Sequence, residues 1–334
     1  MRLAIIAAAS IAALFPVTAS ARTIDFADLR KIVSLSSPQI SPDGRRILFV
    51  RSHPDYVKDR SQGDLMLIDV NSKKVRQLTF NRRGLNSPRW SADGTQIAFL
   101  MSTAVEGVKD PQEEIFVMRM DGGDPRPVTK APNGVDGFAW SPNGSQFAFI
   151  TQDNNPYKKQ IEQHLDAFEI GANDYLHTAA AIPSHLWVIS SAGGLAKRLT
   201  GGSWSLGTVD PNVTSELSWS PDARHIAFVH FPTPLIGNTL GAVIEVIDAR
   251  SGKRTRLTGN TGLEGAPDFA PAGNLISYSR NVNGDDTNGN GIYVTRVGGG
   301  PGKDIRAQID RNINGTAWDP NGKALWLFGP DGQR

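Results

Sequence analysis

Six stretches of the chain follow one plan of apolar and polar positions. They are SPQISPDGRRILFV (37–50), SPRWSADGTQIAFL (87–100), GFAWSPNGSQFAFI (137–150), ELSWSPDARHIAFV (216–229), APDFAPAGNLISYS (266–279) and GTAWDPNGKALWLF (315–328). Each has a large apolar anchor, then Ser-Pro-Asp-Gly or a near copy, then a β-rich apolar run. The anchors are Ile40, Trp90, Trp140, Trp219, Phe269 and Trp318, at intervals of 50, 50, 79, 50 and 49 residues. Pro fixes φ, and Asp-Gly or Asn-Gly accepts the positive φ of a tight turn. The pattern predicts two antiparallel strands joined by a two-residue-type turn. A third strand comes next at Leu65–Val70, Ile115–Met120, Leu186–Ser190, Ile244–Asp248 and Ile292–Val297. A fourth ends in Leu78-Thr79, Val128-Thr129, Leu199-Thr200 and Leu257-Thr258, with Ile305-Arg306 in the fifth unit. Four strands per unit of about 50 residues, repeated, predict an all-β fold. It is a β-propeller with five complete blades, a sixth cut short and a short helical insertion in the third. Anchors that recur at one structural position read as blade-to-blade core, and the Asp-Gly pairs as turn chemistry.

The 79-residue interval holds the insertion. Unit three has 21 extra residues between its second and third strands and 8 more before the next anchor. Strands alternate direction, so both extras leave from one end of the ring. The segments 51–64, 102–114, 230–243 and 280–291 leave from that end as well. Loops on a rigid scaffold commonly carry function, so this end is expected to meet a substrate, a partner or a second domain. Inside the insertion, Ile161, Leu165 and Phe168 have helical spacing over 157–170. Glu169 and Asp174 belong to an acidic stretch with Glu162 and Asp166. They are the candidate substrate-binding residues, through recognition of a cationic group such as a peptide amine. The competing reading is a solvated helix face.

Composition narrows the chemistry. No Cys is present among 334 residues, which excludes disulfides, thiolate metal sites and cysteine catalysis. Net charge is +2 with both signs mixed, so nucleic acid is not an expected partner. Residues 1–21 read as a secretory leader: Arg2, an apolar run over 3–15, then Ala19-Ser20-Ala21 as a small-x-small cleavage site. The expected domain is 22–334, periplasmic or secreted, with no membrane span once the leader is removed. No Ser has Gly at both −2 and +2; the nearest case, Gly201-Gly202-Ser203-Trp204-Ser205, reads as a loop between blades. The six His form no compact ligand pair, and the odd spacing of His225 and His230 sends them to opposite faces. Asp286, Asn288 and Asn290 match the start of a calcium loop, but Val297 stands where its bidentate Glu belongs, so a polar hairpin loop competes with the metal. No catalytic residue and no cofactor are expected.

The W-S-P-D-G turns, I-A-F strands and L-T endings resemble the propellers of the prolyl oligopeptidase family of serine peptidases, in its acylaminoacyl-peptidase and dipeptidyl-peptidase-like branches. They also resemble the TolB-like propellers. The opening Ile24–Leu29 running into Ser36–Gly44, and the Ser184-His185-Leu186-Trp187-Val188 strand, are similar to the peptidase branch. No α/β domain precedes the repeats, a further reason to favour the peptidases over TolB. The resemblance implies an α/β-hydrolase domain with a Ser-Asp-His triad elsewhere in the whole protein, and a propeller that gates and docks short peptides. This sequence contains no G-x-S-x-G. The expectation is therefore a truncated or partial product, inactive alone, whose partners on the long-loop face are that hydrolase domain or a peptide. The alternative is a TolB-like periplasmic protein-binding propeller.

Overall fold

The computed structural model describes residues 23, 25–102, 111–165, 167–170, 179–209, 213–259, 262–285, 287–298, 300, 302–306, 309 and 313–329. The expected leader, Asp174, His177 and Asp286 lie outside them. Helix α1 (Phe26–Leu29), capped by Asp25, precedes the first sheet. Blade one is β1 (Ser34–Ile40), β2 (Arg46–Asp55), β3 (Arg60–Asp69) and β4 (Val75–Gln77). Blade two is β5 (Asn86–Trp90), β6 (Gln96–Ser102), β7 (Glu113–Arg119) and β8 (Arg126–Pro127). Blade three is β9 (Gly137–Trp140), β10 (Gln146–Gln152), β11 (Ser184–Ser190) and β12 (Lys197–Arg198). Blade four is β13 (Ser218–Trp219), β14 (His225–His230), β15 (Val243–Asp248) and β16 (Arg254–Arg256). Blade five is β17 (Glu264–Phe269), β18 (Leu275–Asn281), β19 (Asn290–Arg296) and β20 (Lys303–Asp304). A sixth, two-stranded sheet pairs β21 (Gly315–Trp318) with β22 (Leu325–Phe328). Each sheet is an antiparallel meander in chain order. These are five complete propeller blades and part of a sixth.

Strand alternation builds the core between blades. In β6, Ile97, Phe99 and Met101 pack with Leu48, Val50, Leu65 and Leu67 of the preceding blade. Ala98 and Leu100 of the same strand pack with Phe138, Phe147 and Phe149 of the following one. Blades three and four repeat the scheme, with Phe147 and Phe149 facing back and Ala148 and Ile150 facing forward. A period of two with both faces buried yields the continuous apolar run that the I-A-F pattern advertises. The small Ala on the forward face makes room for the aromatic ring of the next blade.

The anchors share in these clusters, and three indoles also stitch blades together. Nε1 of Trp90, Trp219 and Trp318 donates to the carbonyl of Gln39, Ala139 and Asp268 respectively, each on the preceding blade. Trp140 donates instead to Gly144 in its own turn. Ile40 departs from the expected core role. It is 69 % exposed, because among the described residues no blade packs on the outer face of blade one. Trp326 and Phe328 are likewise exposed on the far face of the sixth sheet.

The repeated turns are four residues long rather than two. The hydroxyl of Ser41 accepts from Arg46 N and donates to Asp43, while Gly44 N donates to Ser41 O. Ser91, Ser141 and Ser220 repeat the arrangement. The fourth turn position is left-handed throughout, with φ of 69° at Gly44, and Ala223 is forced to 56° there. At the opposite end the Leu-Thr motif has a defined job. The hydroxyls of Thr79, Thr129, Thr200 and Thr258 accept the backbone N–H of Leu65, Ile115, Leu186 and Ile244 at 2.8–2.9 Å. Each ties the segment that follows an outer strand to the third strand.

Two loop expectations change. Residues 51–64 are a long hairpin, since β2 and β3 stay paired from Arg46↔Asp69 to Asp55↔Arg60 and only 56–59 turn. The helix expected over 157–170 is the five-residue α2 (Lys158–Glu162). Leu165 is 70 % exposed, so the spacing of Ile161, Leu165 and Phe168 finds no common surface to cover. Among the described residues no helix is long and apolar enough to cross a membrane.

Two substitutions check this account. Ala223→Gly relieves the left-handed strain and raises stability by about 0.5–1 kcal/mol, visible as a higher thermal midpoint. Thr200→Val keeps the shape but leaves the buried Leu186 N–H without its acceptor, costing about 1–3 kcal/mol in urea unfolding.

Candidate functional site: an axial cavity

The innermost strands of blades two to five enclose a cavity of about 600 Å³. Its wall includes Ser87, Arg89 and Trp90 of β5, Asp136 and Trp140, Ser218 and Trp219 of β13, and Asp268 and Phe269 of β17. Pro142, Pro221 and Pro271, from the tight turns, lie at one end. The aromatic anchors thus serve both the blade contacts and the cavity wall.

Charged groups reach this wall through a recurring bulge. The pairing register slips between Asn86 and Arg89 in blade two and between Gly265 and Asp268 in blade five. Ser87 and Ala266 sit in the left-handed region at φ 49° and 47°, each immediately before a proline. Blade one has the same slip, with Ser37 at 52°. Bulges re-aim side chains, and strained non-glycine residues gather where a fold holds function. The residue just before the anchor is Gln39, Arg89 and Asp268 in these three blades, but Ala139, Ser218 and Ala317 in the others.

The electrostatics of the cavity are uneven. Burial holds the guanidinium of Arg89 below its ordinary pKa. Burial raises Asp268, against a hydrogen bond from Ser218 Oγ at 3.0 Å. Asp136 is pushed up to about 6 by burial, against a hydrogen bond from Ser184 Oγ at 3.1 Å and with help from the charge of Glu113. It lines both the axial cavity and a neighbouring one. It is a group poised near neutral pH at an internal junction.

Asp136 and Thr214 also line a second cavity of about 440 Å³ at the long-loop end, with Asn155, Ser184 and Gly207. A third, of about 460 Å³, is bounded by Tyr157, Phe168, Glu169, Pro183 and Leu235. Glu169 therefore lies on a concave surface of the insertion, apart from the axial wall. Asn288 donates from Nδ2 to Val282 O, and Asn290 begins β19. No group of three His, Asp or Glu side chains suited to a metal gathers among the described residues.

The segment 201–205 is more than a linker. Trp204 stacks on His230 at 4.1 Å and meets the edge of His185 at 5.5 Å, with Arg254 4.7 Å from its ring centre. Glu245 accepts from His230 and Arg254, both at 3.0 Å. His185 is fully buried between Thr200 and Gly202, and burial lowers its pKa. The pair of histidines invisible in sequence is brought together by the eight extra residues before blade four. Their network locks the junction of blades three and four beneath the insertion.

The junction carboxyl can be titrated directly. A ¹³C NMR titration should place the Asp136 midpoint near 6. Ser184→Ala should move it higher, since the lost hydrogen bond favoured the ionised form. A midpoint in the ordinary carboxylate range would contradict the enclosed geometry.

No family model matches the sequence, and no curated protein matches it. Solved structures do. Acylaminoacyl peptidase of Pyrococcus horikoshii superposes with TM-score 0.64 at 14% identity, over 90% of this chain and 43% of that one. The β-propeller domain of the Trilobed protease from Pyrococcus furiosus gives 0.57 at 13%, over 90% and 83%. The putative TolB from Agrobacterium tumefaciens gives 0.53 at 18%, over 89% and 91%. The chain thus spans less than half of the acylaminoacyl peptidase. The putative TolB structure is matched over nearly its whole length, whereas TolB from Acinetobacter baumannii is matched over 56% of its chain. The chain has the β-propeller fold that these peptidases and TolB-like structures share.

Proposed function

We propose that this propeller is the non-catalytic access and docking domain of an exported serine peptidase acting on short peptides. In this reading the domain spans 22–334, is delivered to the periplasm or beyond by the leader at 1–21, and works beside an α/β-hydrolase domain of the whole protein. The axial cavity carries the reading. Its volume falls in the range of about 300–1,000 Å³ typical of small-ligand sites. It mixes aromatic walls with a few charged groups, and it is too narrow for a folded protein. Cavities at the long-loop end add acids, Asp136 and Glu169, suited to a peptide's amine and amide N–H groups. Asp174 belongs to the same acidic insertion and has the same proposed role. For the Asp286, Asn288 and Asn290 loop the polar-hairpin reading is preferred over calcium.

A second reading, a TolB-like propeller that binds proteins in the periplasm, is favoured by the near-complete coverage of the TolB structure. Binding experiments separate the two. Fluorescent peptides of four to eight residues should bind the purified chain in anisotropy titrations. Glu216→Trp, which places an indole at the cavity wall, should weaken them at least tenfold without shifting the thermal midpoint. Capture of a folded envelope protein with indifference to short peptides would favour the second reading.

A further inference from the structure

We propose that Arg89 is the carboxylate anchor of the axial cavity, so that the cavity selects short peptides by their free C-terminal carboxylate. The inference rests on reading the cavity as a peptide-docking site, and goes beyond it by naming the group that is read.

Arg89 differs from four arginines on the blades that are held by carboxylates. Arg51 pairs with Asp64, Arg198 with Asp153, Arg224 with Asp248 and Arg254 with Glu245. Arg89 lines the cavity, and its one hydrogen bond among the described residues runs from Nη1 to Pro88 O at 3.0 Å. No carboxylate of the described residues pairs with it. A guanidinium keeps its charge at any physiological pH and offers five donors in a planar fork. Holding such a group partly desolvated and without a counter-ion is costly unless an anion arrives. Of the three acids on the same wall, Asp268 accepts from Ser218 and Asp136 from Ser184, and Glu216 makes no ion pair with Arg89.

The backbone spends strain on this placement. Ser87 is held at φ 49° in the bulge that directly precedes Pro88 and Arg89. A two-oxygen anion matches the open face of the fork, with two parallel N–H···O bonds. A peptide's terminal carboxylate has that shape at the end of a chain slim enough to lie along the axis. Its backbone N–H groups would then lie within the lining that includes Asp136 and Asp268.

The test uses the full chain and three N-terminally fluorescein-labelled pentapeptides: pentaalanine acid, pentaalanine amide, and the amide with one internal Glu. Anisotropy titrations at pH 7.5 should show the acid binding about tenfold or more tighter than the amide. The Glu-bearing amide should bind like the plain amide, since the terminus is the group recognised. Arg89→Gln should abolish the acid's advantage over the amide. Equal affinity of acid and amide for the wild-type chain overturns the assignment of Arg89 while the docking reading stands. Tight binding of the Glu-bearing amide overturns terminal selection in favour of any carboxylate. Absence of binding by all three overturns the docking reading and this inference together. The wild-type comparison decides the matter even where Arg89→Gln fails to fold.

Discussion

Among the described residues the sheets of neighbouring blades bury apolar side chains against one another. That mutual burial organises the molecule. In β6 the odd-numbered residues Ile97, Phe99 and Met101 close one interface while Ala98 and Leu100 close the next. No blade has a private core, so each depends on its neighbours for removing its side chains from water. The large-to-small contrast between the two faces lets aromatic rings interdigitate with alanines across each interface. Blade one lacks that contrast, with Leu48 where Ala98 and Ala148 stand, and its Ile47 and Phe49 face away from blade two and stay half-buried.

Around this packing the two ends of the ring use different devices. At one end a serine hydroxyl closes a four-residue turn. At the other a threonine hydroxyl completes the hydrogen bonding of an amide within the third strand. Both satisfy backbone groups that would be stranded where strands end. The Thr129 and Thr258 hydroxyls donate in turn to Glu114 and Glu264, so buried acids are drawn toward the long-loop end. The axis is treated differently again. There the inner strands of blades one, two and five are bulged, and the distortion brings Arg89 and Asp268 onto the cavity wall.

Much of the architecture is legible in the residues. The anchor spacing, the Asp-Gly turns and the Leu-Thr endings identify five four-stranded units and part of another, because each motif does one local job that recurs. The turn length is misread because Asp-Gly signals a left-handed residue without saying how many residues the serine side chain spans. The 51–64 segment looks like a loop because its Arg, Ser, His, Asp and Gln residues hide a strand pair that continues past the core. The site is far less visible. Ser-Pro before the anchor in SPQI and SPRW, with Ala-Pro in APDF, is the available signal for the bulges, but a register slip is a property of two strands. Arg89 looks like any surface arginine. His185 and His230 lie 45 positions apart in sequence and meet only because Trp204 is inserted between them. Glu169 stands out for its charge, yet it lies on a cavity of the insertion rather than on the axis.

The contrast between the two ends bears on how such a ring can change. Lengthening a tight turn by one residue would break the contact between Ser41 and Arg46 and misregister two strands at once, so that end is closed to insertion. Lengthening a connection at the other end costs little beyond loop entropy, because Thr129, Thr200 and Thr258 hold amides near the strand starts without using the connecting segment. Blade three has taken this route twice, and Trp204 shows what the extra chain can become: first slack, then a packed part of the wall. Within this chain added length gathers on one rim, while the other keeps short covalent links.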